Sequence, residues 1–102
     1  LRIVKFYQYL SEEKKEFVLS KQLLCSGAAI GAMIRKSEHA ESKSDFIHKL
    51  SIALKEANES EYWIELLFKS NLIDNKSFQS IQNDITELLK LLTSIIKTSK
   101  NK

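Results

Sequence analysis

The chain has 102 residues, 43% of them hydrophobic and 28% charged, with a formal net charge of +3. That predicts one domain over residues 1–102 and excludes a disordered chain; the core would be small enough for burial between subunits to help it. The lone cysteine, Cys25, excludes an internal disulfide framework and a cysteine-based zinc site, and neither a membrane span nor a signal peptide is visible, so a cytoplasmic home is the simplest expectation.

The hydrophobic spacing predicts four helices and no strand, over about 1–10, 12–39, 43–70 and 75–99. The first carries Ile3, Phe6, Tyr7 and Leu10 on one face. Ser11 then reads as an N-cap, with Glu12 and Glu13 at the positive end of the second helix. That helix has Phe17, Leu23, Leu24, Ile30 and Ile34 within one broad face. Ser42, with Asp45 three residues on, resembles a capping box and opens the third helix. Phe46, Leu50, Ala53, Ala57, Ile64 and Leu67 mark its core side, and Asn71 can end it in the left-handed conformation. Asp74 is the N-cap expected for the fourth helix, whose Phe78, Ile81, Ile85, Leu88, Leu92 and Ile95 form a seam. Short links between long amphipathic helices predict an all-α, antiparallel, up-down-up-down four-helix bundle.

Both glycines, Gly27 and Gly31, fall inside the second helix, four residues apart and so on one face. Each costs about 1 kcal/mol relative to alanine there. Close packing is the compensation expected: a neighbouring helix or a large side chain would enter the bare groove, with Trp63, beside Tyr62, as the candidate knob. On this reading Gly31→Leu overfills the groove and disrupts folding or assembly.

Little in the chain points to catalysis. There is no Gly-rich phosphate loop, nucleophile elbow or zinc motif. Asp45 and His48 have the spacing of half a di-metal carboxylate site, but no second acid-x-x-His accompanies them. A small packed thiol is the ordinary state of a lone cysteine such as Cys25. No metal or other cofactor is expected. The positive excess lies wholly within residues 1–51. Lys21, Arg35, Lys36, Lys43 and Lys49 are the candidate nucleic-acid contacts, although Arg35 and Lys36 also suit a helix C-terminus and Lys49 can pair with Asp45. Glu56, Glu59, Tyr62 and Trp63 combine acids with amphipathic aromatics, as a subunit interface with a polar rim does.

The stretches EFVLSKQLLCSGAAIGAMI and SKSDFIHKLSIALKEANESEYWIELL, with the IIKT ending, resemble the bacterial four-helix bundle proteins. That family was first noticed as proteins encoded in intervening sequences of 23S ribosomal RNA genes. It is also similar to accessory proteins of diversity-generating retroelements, which pair with a reverse transcriptase and bind nucleic acid. The resemblance runs from about Glu16 to Thr98. It implies a homo-oligomer, a ring-like pentamer, with RNA, DNA or a nucleic-acid enzyme as partner. Two positions depart from the family pattern: Cys25 stands where an arginine is common, and Met33 where an asparagine is common. The function expected is non-enzymatic nucleic-acid binding, or service to ribosomal RNA intervening sequences or a reverse transcriptase. The alternative is a protein-interaction scaffold that binds no nucleic acid.

Overall fold

A computed structural model describes the backbone of residues 2–101 and the side chains of residues 3–101. The expected helix start at Leu1 lies outside the described residues. Four helices follow in order: α1 (Arg2–Glu12), α2 (Val18–Ser37), α3 (Lys43–Lys69) and α4 (Asn75–Lys100). Neighbours in sequence are neighbours in space, α1 on α2, α2 on α3 and α3 on α4, in an antiparallel bundle 46 Å long and 20 by 17 Å across.

Local chemistry sets most of the helix ends. Ser42 Oγ accepts a hydrogen bond from the Asp45 backbone N–H at 3.0 Å, and Asp74 Oδ1 does the same for Ser77 at 2.7 Å. Asn71 takes φ 60°, and the backbone N–H groups of Asn71 and Leu72 bond to the carbonyls of Phe68 and Leu67. That pattern is a Schellman motif, and it turns the chain sharply out of α3.

The start of α2 differs from the expectation. Ser11 lies inside α1, where its hydroxyl donates to the Tyr7 carbonyl at 2.8 Å, so it caps nothing. The chain turns at Lys15, with φ 53°, and α2 begins only at Val18. Glu16 is the cap: its carboxylate accepts from the backbone N–H groups of Val18 and Leu19 at 3.1 Å and of Ser20 at 2.7 Å. Three of the orphan donors of the first turn are met by one side chain. Phe17, expected in the core, precedes the helix and is 56% exposed.

The core has two storeys. One gathers Leu10, Leu23, Ile64, Leu67, Ile73, Ile81 and Ile85; Phe68 and Phe78 pack beside it, stacked at 4.1 Å. The other gathers Ile30, Leu50, Ala53, Ala57, Leu92 and Ile96. Small residues on α3, Ala53, Ala57 and Ser60, are almost fully buried and let α2 and α4 come close. Ser26 and Ser60 share a buried hydrogen bond at 2.8 Å across the α2–α3 contact.

The two glycines part company. A Cβ on Gly27 would stand 2.9 Å from Cγ1 and 3.1 Å from Cδ1 of Ile3. The knob over Gly27 is therefore Ile3 of α1. Trp63 packs against the first storey of the core and edge-on to Tyr62, with centroids 5.1 Å apart. At Gly31 a Cβ would meet nothing within 4 Å among the described residues, so the crowding expected of Gly31→Leu does not begin at its first carbon. Gly31 instead lines an apolar groove of about 340 Å³ between α2 and α4, bounded by Ile3, Ile30, Ile85 and Leu88.

Two predictions follow from these contacts. In chemical unfolding, Gly27→Ala lowers stability by about 1 kcal/mol, because crowding against Ile3 outweighs the gain in helix propensity; in an Ile3→Ala background the same change raises it by about 1 kcal/mol. Equal effects in both backgrounds contradict the contact. For Glu16, burial pushes the carboxyl up, but the N–H donors of Ser20, Leu19 and Val18 outweigh it and hold it below its ordinary 4.5. A depressed carboxyl stabilises the fold above its unfolded value, and the contribution is lost as pH falls through the folded one. Glu16→Gln should cost about 1 kcal/mol near neutral pH, and the acid limb of stability below about pH 4.5 should become shallower. A melt series against pH checks both.

Candidate nucleic-acid interface

The α2–α3 turn positions most of the basic candidates. α2 ends at Ser37, and the last N–H groups tighten the turn: Glu38 bonds to Arg35, His39 to Lys36 and Ala40 to Ser37. These are i to i−3 bonds, and they hold His39 just past the helix end. His39 follows Arg35 by four residues and Lys36 by three, so all three side chains stand on one side of the helix end. From α3, Lys49 reaches the same place. Arg35, Lys36, His39 and Lys49, with Ala32 as an apolar wall, line one open groove of about 490 Å³. Arg35, Lys36 and His39 are exposed and Lys49 is half-buried.

Lys49 comes with a counter-ion. Its ammonium donates to Asp45 Oδ2 at 2.6 Å, and Asp45 also accepts from the Glu41 backbone N–H at 3.2 Å. The Lys49 hydrogen bond first, and the Glu41 N–H next, hold the Asp45 carboxyl below its ordinary value. The Asp45–Lys49 pair is the ordinary i,i+4 pair that its spacing predicts. His48, exposed on α3, does not line the groove, and among the described residues no group of three or more His, Cys, Asp or Glu side chains is placed to hold a metal ion.

The other sequence candidates stand apart. Lys43 is exposed in the first turn of α3 and Lys21 is exposed in the first turns of α2; neither lines the groove. Glu59 and Tyr62 are exposed on α3, whereas Glu56 and Trp63 are half-buried. The Trp63 indole N–H is buried with no hydrogen-bond partner among the described residues. Cys25 is exposed, contrary to the packed thiol expected, because it lies on the face of α2 turned away from Leu23, Ser26 and Ile30. His39 is the groove residue that was not among the candidates. Its spacing from Arg35 and Lys36 was the available signal; Lys49, from another helix, carries no such signal in sequence.

Charge and shape give this groove one ready use, as a seat for an anion flanked by aliphatic stems. It offers no nucleophile–base pair. None of the helices among the described residues is long and apolar enough to cross a membrane.

Comparison with known proteins places the fold in a family. A search of curated proteins finds no match. Among solved structures, the chain is similar to a protein of unknown function from the S23 ribosomal protein family of Bacteroides thetaiotaomicron VPI-5482. The two are 59% identical, with a TM-score of 0.92 over 94% of this chain and 86% of that one. The profile of the 23S rRNA-intervening sequence proteins matches residues 1–94. With most of its length matched and its bundle superposing closely on that relative, the chain belongs to the 23S rRNA-intervening sequence protein family.

Proposed function

We propose that this chain is a non-enzymatic, cytoplasmic helical-bundle protein that assembles with copies of itself and binds RNA or DNA through the basic groove. The observation that carries the proposal is the convergence of Arg35, Lys36 and Lys49, from two helices, on one open groove. Cations gathered this way contact phosphates and read no bases, so binding is salt-dependent and poor in sequence preference. Membership of a family named for 23S rRNA intervening sequences favours ribosomal RNA or its processing as the setting; a reverse transcriptase is the other partner in keeping with the resemblance.

Assembly multiplies a weak site. A ring of five chains, the number the resemblance implies, would present five such grooves, and joint engagement of one strand gains avidity without any new contact. Large apolar side chains left exposed, among them Val18 at 71%, Tyr62 at 55% and Leu91 at 56%, support contact between copies. The same exposed residues favour a second reading, a scaffold that presents an apolar surface to another protein and binds no nucleic acid.

Filter binding of random RNA and DNA over about 50–300 mM salt separates the two readings. The proposal predicts binding at low salt, with a slope of log affinity against log salt near about −2 per groove engaged. Arg35→Glu with Lys36→Glu should weaken binding about tenfold or more and flatten that slope; melting falls only modestly, because the two cations also complement the C-terminus of α2. No binding at the lowest salt leaves the scaffold.

A further inference from the structure

We infer that the α2–α3 groove seats a phosphate group together with a proton, with His39 as the group that takes the proton up. This rests on the proposal that the groove binds a nucleic-acid backbone, and it adds a regulation that proposal lacks.

The argument begins with what surrounds the imidazole. His39 shares the groove with Arg35 and Lys36 from α2 and with Lys49 from α3, and no α4 residue lines it. The carboxyls near it in sequence are Glu38, Glu41 and Asp45, and none of them lines the groove. Asp45 does not line the groove and is held by Lys49 at 2.6 Å. That carboxylate is thus already committed to Lys49. Arginine and lysine are side-chain types that stay positive across the neutral range. Histidine is the side-chain type that changes charge between about pH 5 and 8. Within the groove it is the group that supplies a variable cation.

Placement matters as much as type. The His39 backbone N–H bonds to the Lys36 carbonyl at 3.1 Å and that of Ala40 to Ser37 at 3.2 Å, so the backbone that carries the ring is held beside the groove. An imidazolium there adds a charge-assisted donor to a phosphate oxygen, and the phosphate in turn favours the imidazolium. The linkage has one sign: binding takes up a proton, so affinity rises as pH falls.

Fluorescence anisotropy of a labelled random single-stranded RNA, read at constant ionic strength and at about pH 5.5 and 8, tests this. The parent protein is expected to bind about two- to fivefold tighter at the lower pH. His39→Gln should lose the pH dependence, while His48→Gln, which alters the other imidazole, should keep it. Equal parent affinity at the two pH values, or a pH dependence that survives in His39→Gln, overturns the proton linkage and leaves the nucleic-acid reading standing. Absence of binding at both pH values overturns both.

Discussion

The buried hydrogen bond between Ser26 and Ser60 fixes how α2 lies along α3, and much of the molecule's surface follows from that register. Both hydroxyls are almost fully buried, at 2% and 1% exposure; Ser26 also donates to the Leu23 carbonyl of its own helix at 3.2 Å, so it is Ser60 that loses its side-chain partner if the helices slip. An unsatisfied buried hydroxyl costs about 1–3 kcal/mol, on top of the side-chain packing that a slip disrupts. Moving an equal number of residues forward from Ser26 and back from Ser60 brings Ser37 level with Lys49. That is the geometry which sets a lysine of α3 beside Arg35, Lys36 and His39. Slippage by one turn would separate Lys49 from the others and leave two half-sites.

α1 plays a different part. It packs on α2 and closes the first storey of the core with Leu10, and it is Ile3 that lies over Gly27. Gly31, one turn further along, has open space where a Cβ would stand, among the described residues, and borders an apolar groove. The basic groove and the apolar groove are therefore two separate features of one helix. The first owes its form to the α2–α3 register, and the second to where α1 sits.

Much of the fold was legible in the sequence because the signals were local. Leu50, Ala53, Ala57, Ile64 and Leu67 kept helical spacing through α3, and all five are buried. Ser42, Asn71 and Asp74 act at helix ends through bonds to residues no more than four away, which sequence alone can suggest. Reading failed where two local choices competed. Ser11 and Glu16 can both serve a helix start, and the hydroxyl of Ser11 found the Tyr7 carbonyl inside α1 instead. It failed again where the partner was distant in the chain. Nothing local identifies Ile3, rather than Trp63, as the residue over Gly27, or pairs Ser26 with Ser60. The groove was half legible for the same reason: Arg35 and Lys36 stood out as neighbours, but their meeting with Lys49 depends on a register that no single helix encodes. Lys21 and Lys43 were equally basic in sequence and are not brought to it.

The measurement that bears most directly on this account is residue-resolved: backbone amide shifts of the labelled protein during titration with a short single-stranded RNA. The account predicts changes that concentrate at Arg35, Lys36, His39 and Lys49 and leave the far end, around Glu16 and Val18, unmoved. Changes centred on that far end or spread along the apolar groove at Gly31, with the α2–α3 turn silent, would contradict it.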